Sequence, residues 1–328
     1  MSRLVKWLVT LICVGLLVWL VDLRAVARVL LSARIGFLLL AVLIAFADRL
    51  LMVAKWLPLL HEQAPDVTFR QATRAYFAAG LAHIIVPTPV GGDTLRAVAI
   101  GRGGGKGVPE IGASIVMERL LGILASGIVY LIALMVALRS APQFRFLTPW
   151  VLLLIAAALV SCLLPFNRRI SRKVRHWLES RPDRGWVHLL RRFGKAYSGY
   201  RSKRGTLVAV GILSLIEQFF PLLGTWAAAL ALRVPMDLTM LVVAVPLSVL
   251  ASRVPIALGG IGVSEGAFVY LLGRYGVPAS QGLALALIGT AMNFVVAVPG
   301  LFFWTDAVRP AGPERRSAPL ASGGGEDS

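Results

Sequence analysis

Residues 111–138 read IGASIVMERLLGILASGIVYLIALMVAL, a run whose only charged side chains are Glu118 and Arg119. About 20 apolar residues suffice for a helix to cross a hydrocarbon core about 30 Å thick, and within that core a helix satisfies its own backbone hydrogen bonds. The run therefore reads as a membrane span that carries a charge pair near one end. Similar runs recur at Val5 to Val21, Ile35 to Leu57, Leu147 to Leu164, Leu207 to Leu232, Leu238 to Leu250 and Leu283 to Trp304. Two weaker segments, Tyr76 to Val86 and Val263 to Leu272, are short for full crossings and are bounded by Pro or Gly. They read as short spans, interfacial helices or arms of re-entrant hairpins. The expected fold is all-α: a polytopic membrane bundle of about seven or eight spans with two broken or re-entrant segments.

Composition agrees with that reading. Of 328 residues, 57% are hydrophobic and 15% charged, and mean hydropathy is +0.77, which excludes an ordinary water-soluble enzyme. Thirty-four Lys and Arg against sixteen Asp and Glu give a net charge of +18. The basic residues lie mostly between or beside apolar runs, where they set orientation and meet anionic lipid, so nucleic acid is not an expected partner. Cys13 and Cys162 lie inside apolar stretches and suggest neither a disulfide framework nor a metal or redox pair. The first run follows Arg3 and Lys6 but lacks a persuasive small-x-small cleavage site, so it reads as an uncleaved span.

The segment from Asn167 to Arg204 holds thirteen basic and two acidic residues, a net +11. By the positive-inside rule it is cytoplasmic. The N-terminus then lies on the same side, provided Tyr76 to Val86 enters and leaves by one face. Trp177, Trp186, Phe193, Tyr197 and Tyr200 interleave with these charges; they suit either helices resting on anionic headgroups or an ordinary basic loop with interfacial rings. The expected organisation is one transmembrane domain over 1–308 containing the basic loop 167–204. A disordered Pro-, Gly- and Ser-rich tail over 309–328 follows.

Two segments carry unusual chemistry. In the first, Pro87 and Pro89 prevent a continuous helix, and Gly91 and Gly92 permit backbone angles closed to other residues. Asp93 is placed to cap the helix that follows. Arg96, one turn on, is placed to present a guanidinium to phosphate. In the second, Pro255, Gly259 and Gly260 repeat the P-x-x-x-G-G spacing, followed by Gly262 and Glu265. Helices interrupted at corresponding places in two halves point to a transport-type binding site, although GG pairs are common and the shared identity is small. Neither segment has the spacing of a dinucleotide or P-loop motif.

Ionisable groups inside apolar runs are costly unless paired or facing water, which makes each a site candidate. They are Asp48 with Arg49 and Lys55, Glu118 with Arg119, Glu217, and Arg253 ahead of Glu265. Glu118 is the strongest, with Arg96, Arg253 or Arg119 as its partner; a structural interhelical salt bridge is the plainer alternative. His83 reads as a hydrogen-bonded packing residue or as a titrating group in a proton-coupled cycle. No His, Cys and carboxylate grouping suggests a metal, no cofactor is indicated, and no nucleophile elbow or catalytic residue stands out.

Tyr76-Phe77, Pro87 to Asp93, Arg96, Glu118-Arg119-Leu120 and, downstream, Pro255, Gly259-Gly260, Gly262 and Glu265 together resemble the flippase-like transmembrane family of lysylphosphatidylglycerol synthases, over roughly residues 5 to 308. The resemblance implies a multispanning bacterial inner-membrane protein related to lipid-translocating regions and to relatives linked with lipid, hopanoid or polyprenyl-glycan metabolism. The two-part synthases carry a cytoplasmic aminoacyl-transfer domain, whereas this sequence ends in about twenty polar residues, so lysyl transfer by this chain alone is not expected. The expected role is translocation of a membrane lipid or polyprenyl-linked lipid, without an enzymatic step. Arg96 would receive the headgroup phosphate, Asp93 would order the helix end, and Glu118 and Glu265 would compensate cationic groups. The alternatives are an accessory or scaffold for a biosynthetic enzyme partner and, third, a membrane transferase.

Overall fold

The computed structural model describes residues 21–85, 89–101, 107–140, 148–163, 185–253 and 262–308, with isolated positions at 15, 145, 260 and within 167–180. Every regular element among them is helical. The first three are α1 (Leu23–Leu31), α2 (Ile35–His61) and α3 (Phe69–Ile85), followed by α4 (Pro89–Gly101) and the long α5 (Val108–Ser140). Then come α6 (Thr148–Leu163), α7 (Gly185–Gly199), a 3₁₀ turn at Tyr200–Ser202, α8 (Arg204–Glu217) and α9 (Phe219–Leu232). The chain continues through α10 (Leu238–Ser252), α11 (Val263–Gly273), α12 (Ala279–Ala297) and α13 (Pro299–Val308).

Among the described residues, four helical stretches are long and apolar enough to cross a membrane: Ile35–His61, Val108–Arg139, Arg204–Leu232 and Ala279–Trp304. The expected runs from 147 and 238 appear as the shorter apolar helices α6 and α10. The first expected span lies outside the described residues apart from Gly15 and Val21. Prolines mark where the long stretches are interrupted. Pro221 has no N–H to give the Glu217 carbonyl, and the ladder breaks at Gln218 between α8 and α9; Pro299 does the same to Val295 between α12 and α13.

The first weak segment forms a longer helix than the sequence suggests. Its apolar character begins near Tyr76, but α3 starts at Phe69 because Thr68 and Gln71 form a capping box. The Thr68 N–H donates to Gln71 Oε1 at 2.8 Å, and the Gln71 N–H donates to Thr68 Oγ1 at 3.3 Å. At about 1.5 Å per residue, α3 and α4 are about 25 and 20 Å long, less than a hydrocarbon core. They pack against each other with Gly92 opposite Ala79 and His83, and with Arg96 opposite Tyr76. That register makes them the arms of an antiparallel hairpin.

Small residues let this hairpin nest in the bundle. A Cβ at Gly92 would strike the His83 ring and come within 2.6 Å of the Ala79 carbonyl. Gly300 on α13 likewise lies against the Phe77 carbonyl on the other side of α3, and Ala72, Ala75, Ala78, Ala79 and Ala82 are buried. The hairpin is flanked by α2, α5, α12 and α13. A second, larger apolar cluster joins the far half of α5 to α9, α10, α11 and α12.

Candidate functional site

The charged residues that matter first come from α4 and the start of α5. Arg96 is 1% exposed, and its Nη2 lies 2.8 Å from Glu118 Oε2 and 3.4 Å from Asp93 Oδ1. Glu118 and Arg119 diverge as neighbours on a helix must: Glu118 points inward at 3% exposure, while Arg119 is 43% exposed. Arg119 turns back to Asp93, donating from Nη2 to Oδ1 at 2.8 Å and from Nε to Oδ2 at 3.1 Å. Asp93 thus bridges a buried and an exposed arginine, and the four charges sum to zero. The structure selects Arg96 from the three expected partners of Glu118.

Aromatic rings enclose what the carboxylates leave open. The Arg96 guanidinium carbon is 4.3 Å from the Trp56 ring centre and 4.8 Å from that of Tyr76. Those rings are 6.5 Å apart and tilted by 55°, so they form a corner around the cation rather than a sandwich. Each ring is itself held. The indole N–H of Trp56 donates to Ser114 Oγ at 3.0 Å, Ser114 donates onward to the Ile111 carbonyl at 2.7 Å, and the Tyr76 hydroxyl donates to Met52 Sδ at 3.2 Å. Around them lie Val53, Leu60, Ala72, Ala75, Ala97, Ile100 and Ile115.

In this dry setting Arg96 remains under-satisfied. Its Nε and Nη1 have no hydrogen-bond partner among the described residues, and Glu118 Oε2 meets Arg96 as an ion pair without hydrogen-bond geometry. A buried donor left unmade costs on the order of 1–3 kcal/mol, and more when charged. A planar cation with two donors unpaired among the described residues is suited to donate to two oxygens of a phosphate.

Glu265 is buried as well, yet it is satisfied. Its Oε2 accepts from the Gly262 N–H at 2.7 Å and from Ser264 Oγ at 3.0 Å, and its Oε1 accepts from Thr290 Oγ1 at 2.7 Å. This is the half of a capping box that a glycine N-cap permits. Gly262, at φ 83°, and Gly260, at φ 77°, hold left-handed angles that fit glycine, and a Cβ on Gly260 would also press on Ser252.

Several expectations need correction. Asp93 does not cap α4: Pro89 occupies the helix start, where its missing N–H costs nothing, so Asp93 lies inside the helix and serves as an ion-pair bridge. Gly91 and Gly92 do not break the chain either. They lie within α4, and Gly92 provides close approach to α3. Gly260 instead precedes α11, so the two P-x-x-x-G-G stretches are not used alike. Pro87, Pro255 and Gly259 lie outside the described residues. Arg253 is exposed at the end of α10 and pairs with no carboxylate among the described residues, because Glu118 and Glu265 take other partners. His83 donates from Nδ1 to the Ala79 carbonyl at 2.9 Å.

Two features go beyond the sequence expectations: Lys55 pairs with Glu217, a direct contact of a buried ammonium with a carboxylate at the Pro221 interruption, and Trp56 and Tyr76 form a ring pair. The available signal was the spacing on α2: Asp48, Arg49, Met52, Lys55 and Trp56 follow helical periodicity and share one side. The lower part of that stripe borders a cavity of about 270 Å³ that also takes in Ser264, Glu265, Thr290 and Asn293. Arg49 connects the cavity to the ring corner, donating to Met52 Sδ and to Asn293 Oδ1 at 3.4 Å each. Among the described residues no group of three or more His, Cys, Asp or Glu side chains is placed to hold a metal ion.

Apolar helices long enough to cross a membrane, a nested short-armed hairpin and a buried charge cluster between them define a polytopic helical membrane protein. The family model described as lysylphosphatidylglycerol synthase TM region matches residues 4–300, and the chain belongs to that family. No curated protein and no solved structure matches the chain.

Proposed function

We propose that this protein is a translocator of a lipid or lipid-linked substrate, and that Arg96 receives the phosphate of the headgroup. One observation carries the reading: a fully buried guanidinium whose Nε and Nη1 lack partners among the described residues, held by rings and carboxylates inside a membrane protein. A phosphate docking on those donors would compete with Glu118 for the cation. The released carboxylate then becomes available to a cationic part of the headgroup or to Arg119, close by through Asp93. Acyl chains remain in lipid while the headgroup moves along the polar side of α2, past Arg49 toward the cavity at Glu265. Membership in a lipid-linked transmembrane family supports this direction, and a bacterial inner membrane is the proposed location.

The test is reconstitution into liposomes with headgroup-resolved transbilayer movement of an anionic phospholipid, an aminoacylated lipid and a polyprenyl phosphate. Movement of one class, lost in Arg96→Ala and reduced in Arg96→Lys, is the expected result, because lysine keeps the charge without the planar fork. Undiminished movement in a folded Arg96→Ala protein removes the headgroup role. Lipid binding without movement by the intact chain favours an accessory to a biosynthetic partner.

A further inference from the structure

Helix α7 lies in the basic segment and has no part in the headgroup site. It is anchored to the bundle at several points. Val187 and Ala196 are buried, and Arg192 forks onto Glu110 with Nε to Oε1 at 2.7 Å and Nη2 to Oε2 at 2.9 Å. The Tyr197 hydroxyl donates to the Ser161 carbonyl at 2.7 Å. Just beyond the helix, the Tyr200 hydroxyl donates to the Leu59 carbonyl at 2.7 Å, and burial pushes its phenol pKa up, so it stays a donor. These contacts fix how the helix is rolled.

With that roll, Trp186, Leu189 and Leu190 face outward at 52%, 50% and 44% exposure, and half-buried Phe193, stacked on Tyr197, extends the stripe. Positions 186, 189, 190 and 193 follow the i, i+3, i+4, i+7 spacing of a single helix face. The opposite side carries His188, Arg191, Lys195 and Ser198, so the outward apolar face is an arrangement of the whole helix rather than one stray side chain. The segment around it, 167–204, has a net charge of +11.

We propose that α7 lies in the membrane interface, its Trp186–Phe193 stripe inserted at the headgroup boundary of a leaflet rich in anionic lipid and its basic side turned to the water beyond that boundary. Apolar insertion and charge attraction act together in such helices, and the +11 segment selects an anionic surface over a neutral one. Because Arg192 ties α7 to the start of α5 and Tyr200 ties its end to α2, the lipid surface would also set the depth of the helices that carry Glu118 and Trp56.

The test uses the full chain with Cys13 and Cys162 replaced by serine and a spin label on Leu189→Cys or Lys195→Cys. The labelled proteins are placed in phosphatidylglycerol-containing or purely phosphatidylcholine bilayers. The collision ratio of dissolved oxygen to a water-soluble nickel chelate is expected to be at least about threefold higher at 189 than at 195 in anionic bilayers, and to fall at 189 when the anionic lipid is removed. Trp186→Cys and Leu190→Cys repeat the measurement on the same stripe, so one misfolded variant does not decide it. A stripe as accessible to nickel as position 195 overturns the proposal. So does a stripe shielded from both reagents, which means a second copy or another protein covers it, and so does a depth that is the same in both bilayers.

Discussion

Arg96 and Glu265 are both charged side chains buried beside a short helix, and their surroundings treat them in opposite ways. Three donors within 3.0 Å satisfy Glu265, two of them from its own helix start, and the result is a locked cap. Arg96 has one close carboxylate, a second at 3.4 Å, two rings and two donors that meet no partner among the described residues. Burial of charge alone therefore does not mark a functional group. A charge that the fold has satisfied stabilises a helix end, whereas one left short of partners stores an affinity that a ligand can use.

The largest effect should come from splitting the Arg96 pair. Glu118→Leu strands a buried cation and is expected to lower stability by about 3–5 kcal/mol, whereas Arg96→Met combined with Glu118→Leu recovers most of that loss because no charge remains uncompensated. Thermal unfolding in detergent reads the recovery, and liposome assays should show the stable double variant inactive. A double variant that still moves lipid would end the contrast drawn between the two sites.

Next in size is the hairpin itself. Gly92→Leu pushes a side chain into the His83 ring and the α3 backbone, and should cost about 1–3 kcal/mol or more as α4 moves away from α3. Fluorescence of Trp56, which sits over Arg96, should report the displacement. Glu265→Gln weakens the satisfied site, with an expected loss of about 1–2 kcal/mol and translocation close to that of the parent protein in the same liposome assay. Loss of transport there, at unchanged stability, would make Glu265 a group that contacts the headgroup rather than a locked wall of the cavity. Gly260→Ala strains a φ of 77° and presses on Ser252, for an expected cost on the order of 1 kcal/mol seen as a lowered Tm.

Much of this was legible in the amino-acid order. Long apolar runs announce crossing helices, and Glu118 stood out because almost nothing else in its run is charged. Asp93 was misread as a cap because a carboxylate after a proline and two glycines looks like a helix start. The proline was itself the start, since a residue without an N–H loses nothing there. The repeated P-x-x-x-G-G pattern suggested two equivalent breaks, but a glycine pair looks the same on the page whether it permits close packing, as Gly92 does, or a positive φ, as Gly260 does. Trp56 and Tyr76 were hidden because ring-to-cation contact joins residues remote in the chain, and neither position departs from ordinary helix composition.

The amino-acid order by itself determined the helical membrane class, the charges that needed a partner and the basic segment between apolar runs. These are properties of local runs, governed by transfer of side chains to hydrocarbon. Only the tertiary structure decided that Glu118 faces Arg96, that Asp93 joins two arginines, that Lys55 meets Glu217 and that Glu265 is satisfied. Pairing depends on the roll and register of packed helices, set jointly by many small contacts such as Gly92 against α3, and a one-residue change of roll turns each side chain by about 100°.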